Sequence, residues 1–172
     1  MTMKLIETKT LGTAAASIEF TSIPQDATDL CLLLSTRTTG TNNTLIIQFN
    51  GSSSNYSVRR LDGYGSGAPA STSNTNPYLS FTNLSTYTAN TFANCNLYIP
   101  NYTSSAAKVI SSDNVTENNA TAAEAIILAG LWNDTAAISS ILIDPLDGNL
   151  VAGSTASLYK ITKGSDGIVT TS

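Results

Sequence analysis

The stretch Leu45-Ile46-Ile47-Gln48-Phe49-Asn50-Gly51-Ser52-Ser53-Ser54-Asn55-Tyr56-Ser57 reads as a strand, a turn and the start of a second strand. Side chains alternate across a strand, so Leu45, Ile47 and Phe49 fall on one face. Asn50-Gly51 supplies the positive-φ positions that a hairpin connection wants. Tyr56, opening the run Tyr56 to Leu61, is expected to lay its ring back against the sheet.

The same pattern recurs on both sides. Ile18-Glu19-Phe20-Thr21 alternates, and Leu30-Cys31-Leu32-Leu33-Leu34 is a continuous apolar run that fits a strand buried on both faces. Downstream come Tyr78 to Leu84, Phe92 to Ile99, Lys108 to Ser111, Ala125 to Trp132, Ile138 to Ile143 and Ser157 to Ile161. About ten short strands separated by turn residues predict an all-β, antiparallel sandwich. The Ala-rich segment Glu117 to Glu124 reads as a loop leading into the strand at Ala125, because two Asn residues weaken a helix and no apolar stripe crosses it.

One domain is expected from 172 residues. Residues 1–17 form an N-terminal arm and first strand region, 18–163 the sandwich, and 164–172 a flexible C-terminal tail. Leu5 and Ile6 give the arm two apolar contacts, which either stay with this chain or add to a neighbour's sheet edge. Met1 to Lys9 lacks the apolar core of a secretory signal, and no apolar run reaches the roughly 18 residues of a membrane span. A protein that folds in a cytoplasm, outside any membrane, is expected.

Composition narrows the chemistry. Histidine is absent and only 12% of residues are charged, with 8 Lys plus Arg against 12 Asp plus Glu. An acidic balance argues against nucleic acid, whose phosphates need a basic stripe. Arg59-Arg60 reads as two charges on a strand rim. Without His neither a Ser-His-Asp nor a Cys-His arrangement exists, and nothing singles out a Ser-Lys pair from Lys108 and Ser111. Cys31 and Cys95 read as two buried thiols. Asp144-Pro145-Leu146-Asp147-Gly148-Asn149 is turn chemistry rather than a calcium loop. The acidic residues Asp26, Asp29, Asp62, Asp113, Glu117, Asp134, Asp144, Asp147 and Asp166 fall mostly in expected loops and make no recognisable glycosidase pair. No enzyme activity, metal or cofactor is expected.

Two features point to contact instead. Gly63 to Pro77 is the longest segment without strand character, and its Tyr64, Gly65, Gly67 and Pro69 make it either a mobile surface loop or a contact loop. Tyr64 and Tyr102 are the candidates for stacking on a sugar. A skin of Ser, Thr and Asn with few charges suits a subunit whose edges and faces are covered by neighbours.

Ile47 to Ser57 resembles a pattern in structural proteins of tailed bacteriophages, in which a strand ends in Phe-Asn-Gly and Asn-Tyr-Ser opens the next. Ala16-Ser17-Ile18-Glu19-Phe20-Thr21-Ser22-Ile23-Pro24, followed by Thr28-Asp29-Leu30, looks like the first strands of those proteins. Gly153-Ser154-Thr155-Ala156-Ser157-Leu158-Tyr159-Lys160-Ile161 is similar to their close, with Lys160 where the family often has Gly. The resemblance marks Phe49, Asn50, Gly51, Asn55 and Tyr56 as a structural turn motif. It implies a jelly-roll-like β-sandwich on the outside of a virion, assembled in the host cytoplasm. Its role would be capsid decoration (cement), a head fibre or a tail-fibre module that recognises host surface glycan. The implied partners are the major capsid protein or other virion proteins. A homotrimer follows by analogy with the local three-fold sites of capsids. No catalytic residue carries over.

Overall fold

Apolar alternation broken by Asn, Gly and Ser turns produces strands throughout. In the computed structural model the described residues are 2–64, 70–73, 76–118 and 122–162, and they contain twelve strands and no helix. In chain order these are β1 (Thr2–Thr10), β2 (Ile18–Phe20), β3 (Asp29–Thr36), β4 (Thr44–Phe49), β5 (Tyr56–Gly63) and β6 (Ala70–Ser73). They continue as β7 (Tyr78–Phe81), β8 (Ala93–Ile99), β9 (Lys108–Asn118), β10 (Ala122–Trp132), β11 (Ile141–Pro145) and β12 (Thr155–Thr162).

The larger sheet has the order β1-β12-β3-β8-β9-β10-β5-β6 and the smaller β2-β11-β4-β7. All strand pairings are antiparallel. The two sheets enclose one core, so the fold is a single-domain, antiparallel all-β sandwich. The order is compatible with a jelly roll whose two four-stranded halves are β1-β12-β3-β8 and β2-β11-β4-β7, with β9, β10, β5 and β6 extending the larger sheet beyond β8.

Leu30, Leu32 and Leu34 of β3, Leu97 of β8, and Ile126 and Leu128 of β10 face Ile18, Phe20, Leu45, Ile47, Phe49, Ile141 and Ile143 of the smaller sheet, all buried. Burying such a side chain is worth about 1.5–3 kcal/mol. Phe49, Tyr56 and Trp132 close one end, with Phe49–Trp132 ring centroids 5.6 Å apart in an edge-on arrangement.

Several expectations need correction. β4 and β5 do not form a hairpin: they lie in different sheets, and the Asn50-Gly51 turn carries the chain across the sandwich. The run at Leu30 is not buried on both faces, since Leu33 is exposed on the outside. Within the expected arm and first strand region, residues 2–10 form β1. They pair with β12 from Thr2↔Thr162 to Thr10↔Thr155, with a register shift between Leu5 and Glu7. Leu5 is exposed and Ile6 packs on the core. β6 lies within the supposed structureless segment and pairs with β5. Gly65, Gly67, Pro69 and the tail 164–172 lie outside the described residues.

β9 and β10 are longer than their apolar stretches because the inward side of β9 is polar. Ser112, Asn114 and Thr116 are buried, a pattern that periodicity in apolar residues does not detect. Asn114 Oδ1 accepts from Ser80 Oγ (2.9 Å) and from the Phe81 amide (3.1 Å), while its Nδ2 donates to Ser112 Oγ (2.9 Å). A side chain thus satisfies the backbone of a strand in the opposite sheet.

Candidate functional site

The turn motif at one end of the sandwich is a structural staple. Asn50 (φ 52°) and Gly51 (φ 71°) occupy the left-handed region, as does Asn55 (φ 68°). The Ser52 amide closes the turn on the Phe49 carbonyl at 2.9 Å. Asn50 Oδ1 accepts from the amides of Ser139 (2.8 Å) and Ser140 (3.1 Å), and its Nδ2 donates to the Ala137 carbonyl (2.8 Å). One amide side chain therefore ties the β4–β5 crossing to the β10–β11 loop. Tyr102, a candidate sugar contact, is fully buried near this end and donates its hydroxyl to the Pro24 carbonyl. It cannot stack on a ligand.

The opposite end is built around Arg37, which is largely buried. Its Nη1 donates to the carbonyls of Thr88 (2.7 Å) and Thr91 (3.1 Å), and its Nη2 to those of Ser85 (3.1 Å) and Tyr87 (3.0 Å). Glu117 holds the same loop from the other side, accepting from the Thr88 amide (2.8 Å) and from Thr91 Oγ1 (2.9 Å). Beside this clamp lies a cleft of about 300 Å³ lined by Asn43, Tyr64, Tyr87 and Glu124 with Ala122 and Ala123. Tyr64 is 51% exposed there. Burial, then the nearby Glu124 and Glu117, raises the Tyr87 phenol above its ordinary value, so it stays a neutral hydroxyl. Two phenols, an amide and a carboxylate can stack on and hydrogen-bond a small polar ligand.

The third surface is the outer face of the larger sheet. Register places Ser157, Leu33, Asn96, Asp113, Ile127 and Leu61 in one row across β12, β3, β8, β9, β10 and β5. Ile127 is 62% exposed, Val109 57%, Leu61 56% and Val115 48%. Asp113 of β9 and Arg59 of β5 are the charges in the middle of this face, both exposed. Arg60 points the other way, pairing with Asp62 and lying 4.4 Å from the Phe81 ring centroid. The Arg59-Arg60 doublet is thus split between two faces.

The groups weighed for chemistry are dispersed or engaged. Asp29, Asp62, Asp113, Glu117 and Asp144 belong to strands, not loops, and Asp166 lies outside the described residues. Buried Asp29 accepts from Tyr98 Oη (2.6 Å) and from the Asn101 amide (3.0 Å). Asp147 is bound to the Thr41 amide (2.7 Å), which holds its carboxyl below the usual carboxylate range. Lys108 is buried and donates to the carbonyls of Ser104 (2.8 Å) and Ala106 (2.6 Å). Burial lowers its pKa, but alternation on β9 puts Ser111 on the opposite face, so no Ser-Lys pair forms. Cys31 and Cys95 are buried free thiols. Among the described residues no three carboxylates or thiols converge to hold a metal ion.

No protein-family model, no characterised protein and no solved structure matches this chain. The Tyr64 cleft and the outer apolar face therefore stand on their own geometry. Sequence pointed to Tyr64; it missed the outer face, because Leu61, Val109 and Ile127 sit in apolar runs whose outward side cannot be told from sequence, and Val115 lies beyond the run expected to end at Ser111.

Proposed function

We propose that this chain is a structural subunit of a bacteriophage particle. It decorates or cements the capsid from outside, with the major capsid protein or other virion proteins as partners. The observation that carries the adhesive role is the outer face of the larger sheet, where exposed aliphatics stand among Ser, Asn and only a few charges. A monomer in water gains nothing from such a face, whereas an assembly buries it. The particle location is supported by the resemblance of the three sequence stretches quoted above. Many copies then turn weak contacts into a durable coat. Purified protein mixed with capsids stripped of it should cosediment with them; failure to bind would refute the decorating role.

A second reading is favoured by the Tyr64 cleft: a receptor-binding module of a tail fibre that takes host surface glycan. Titration of host polysaccharide into the protein should then release or absorb heat, and Tyr64→Ala should remove the signal. Immunogold label on tails rather than heads would favour this reading over the first.

A further inference from the structure

We propose that the outer face of the larger sheet is an isologous contact between two copies of this chain, related by a two-fold axis across β10 between Ile127 and Ala129. The inference rests on the reading of the chain as an assembly subunit, and it names the occupant of the face that supports that reading.

The surface carries both halves of its own complement. Ile127 is a ridge with a shallow dent on either side, one of about 200 Å³ bordered by Asn96, Tyr98 and Ser111, the other of about 280 Å³ bordered by Asn94, Val115 and Ala125. An isologous contact pairs a patch with itself, so its raised aliphatic residues meet their own copies across the axis. Charge follows the same rule. Asp113 lies in the row of Ile127 and Leu61, and Arg59 lies one row further along the strands, beside Ala129. They are two strands apart and of opposite sign. A two-fold axis perpendicular to the line joining them sets each Arg59 opposite Asp113 of the second copy, and stacks Ile127 and Leu61 of the two copies between these pairs.

Area agrees. Six strands about 4.8 Å apart and about 25 Å long offer roughly 700 Å² of flat face, close to the ~800 Å² per partner of a stable interface. One sheet edge points the same way. β1 carries Lys4, Glu7 and Lys9 and a shift in register, features that resist strand addition. The pairing is two-fold, in place of the three-fold expected by analogy with capsid sites.

Sedimentation equilibrium of the isolated full-length protein tests this without any capsid, so its outcome is separate from the cosedimentation result. The wild type should show twice the chain mass in a concentration-dependent equilibrium. Ile127→Lys, at an exposed site that leaves the core untouched, should weaken association by roughly 30-fold or more, as loss of a central interface anchor does. Asp113→Arg and Arg59→Asp should each weaken it, and the double charge swap should restore it. A monomer or trimer of the wild type at concentrations up to about 100 μM, unchanged association in Ile127→Lys, or a double swap no better than the single variants would each overturn the proposal. Unchanged far-ultraviolet circular dichroism in every variant shows that the fold is retained.

Discussion

The phenol of Tyr56 accepts the backbone N–H of Phe49 at 2.9 Å across the turn that carries the chain from one sheet to the other. The two rings also pack, with centroids 6.0 Å apart. The end of one sheet is thereby tied to the start of the next by an oxygen that has left its own strand. Tyr56→Phe keeps the ring and deletes that oxygen, leaving the Phe49 amide buried without a partner. A buried unsatisfied donor costs about 1–3 kcal/mol. The midpoint of urea unfolding should fall accordingly, with its slope unchanged. An unaltered midpoint would mean that the tie is not a stabilising feature.

Arg37 should prove harder to replace. Its planar guanidinium reaches four carbonyls of the 85–91 loop at once, and an ammonium cannot span them. Arg37→Ala should cost about 2–4 kcal/mol, because hydrogen bonds to a charged group are the strong kind. Arg37→Lys should recover little of this. Amide hydrogen exchange at Ser85–Thr91 is the direct readout, and protection equal to wild type in either variant would contradict the clamp.

Glycines separate close approach from mere composition. A Cβ at Gly40 would collide with the Asp147 backbone carbonyl, whereas a Cβ at Gly12 meets nothing within 4 Å. Gly40→Ala should destabilise by about 1–3 kcal/mol or more, since the neighbour is backbone and cannot swing aside. Gly12→Ala should be close to neutral. Thermal melts of the pair check this, and equal melting temperatures would show that the 37–43 loop does not pack on the Asp147 turn as described.

Alkaline pH should weaken the fold. Burial pushes the Cys95 thiol up to about 11 and the Tyr56 phenol up to about 12. In the unfolded chain the same groups titrate near their ordinary values of about 8.5 and 10. The unfolded state loses these protons first, so their contribution is whole below about pH 8.5 and disappears as pH rises through the folded values. Lys108, lowered by burial, acts in the opposite sense at the top of this range. Calorimetry should show a melting temperature that is flat near neutrality and falls between about pH 9 and 11. Cys95→Ala should blunt the first part of the fall. A flat profile in the wild type would count against burial of these two groups.

Where apolar alternation is strong, sequence and structure agree. β2, β4, β5, β8 and β12 lie within a few residues of their expected places, and the Asn50-Gly51 turn has the left-handed backbone that its residues allow. Agreement breaks down where burial is polar or exposure is apolar. Asn114 is buried in a strand because Ser80 and Phe81 of the other sheet satisfy its amide. Ile127 is exposed in a strand because the register turns it outward. Neither can be read from residue type, since both depend on a partner far along the chain. Tyr102 shows the same limit: its ring could have been a surface contact, and burial excludes it.

Residue order alone indicated the all-β class, because local alternation and turn chemistry act within a few residues. It also left the chain without a histidine to serve as an acid, a base or a nucleophile's partner. Only the tertiary structure decided that β4 and β5 part into different sheets, that residues 2–10 close on β12, and that the larger sheet carries its aliphatics on the outside. Those outcomes depend on which distant strands share hydrogen bonds and which face the pairing register turns toward the second sheet, and a one-residue change of register would reverse them.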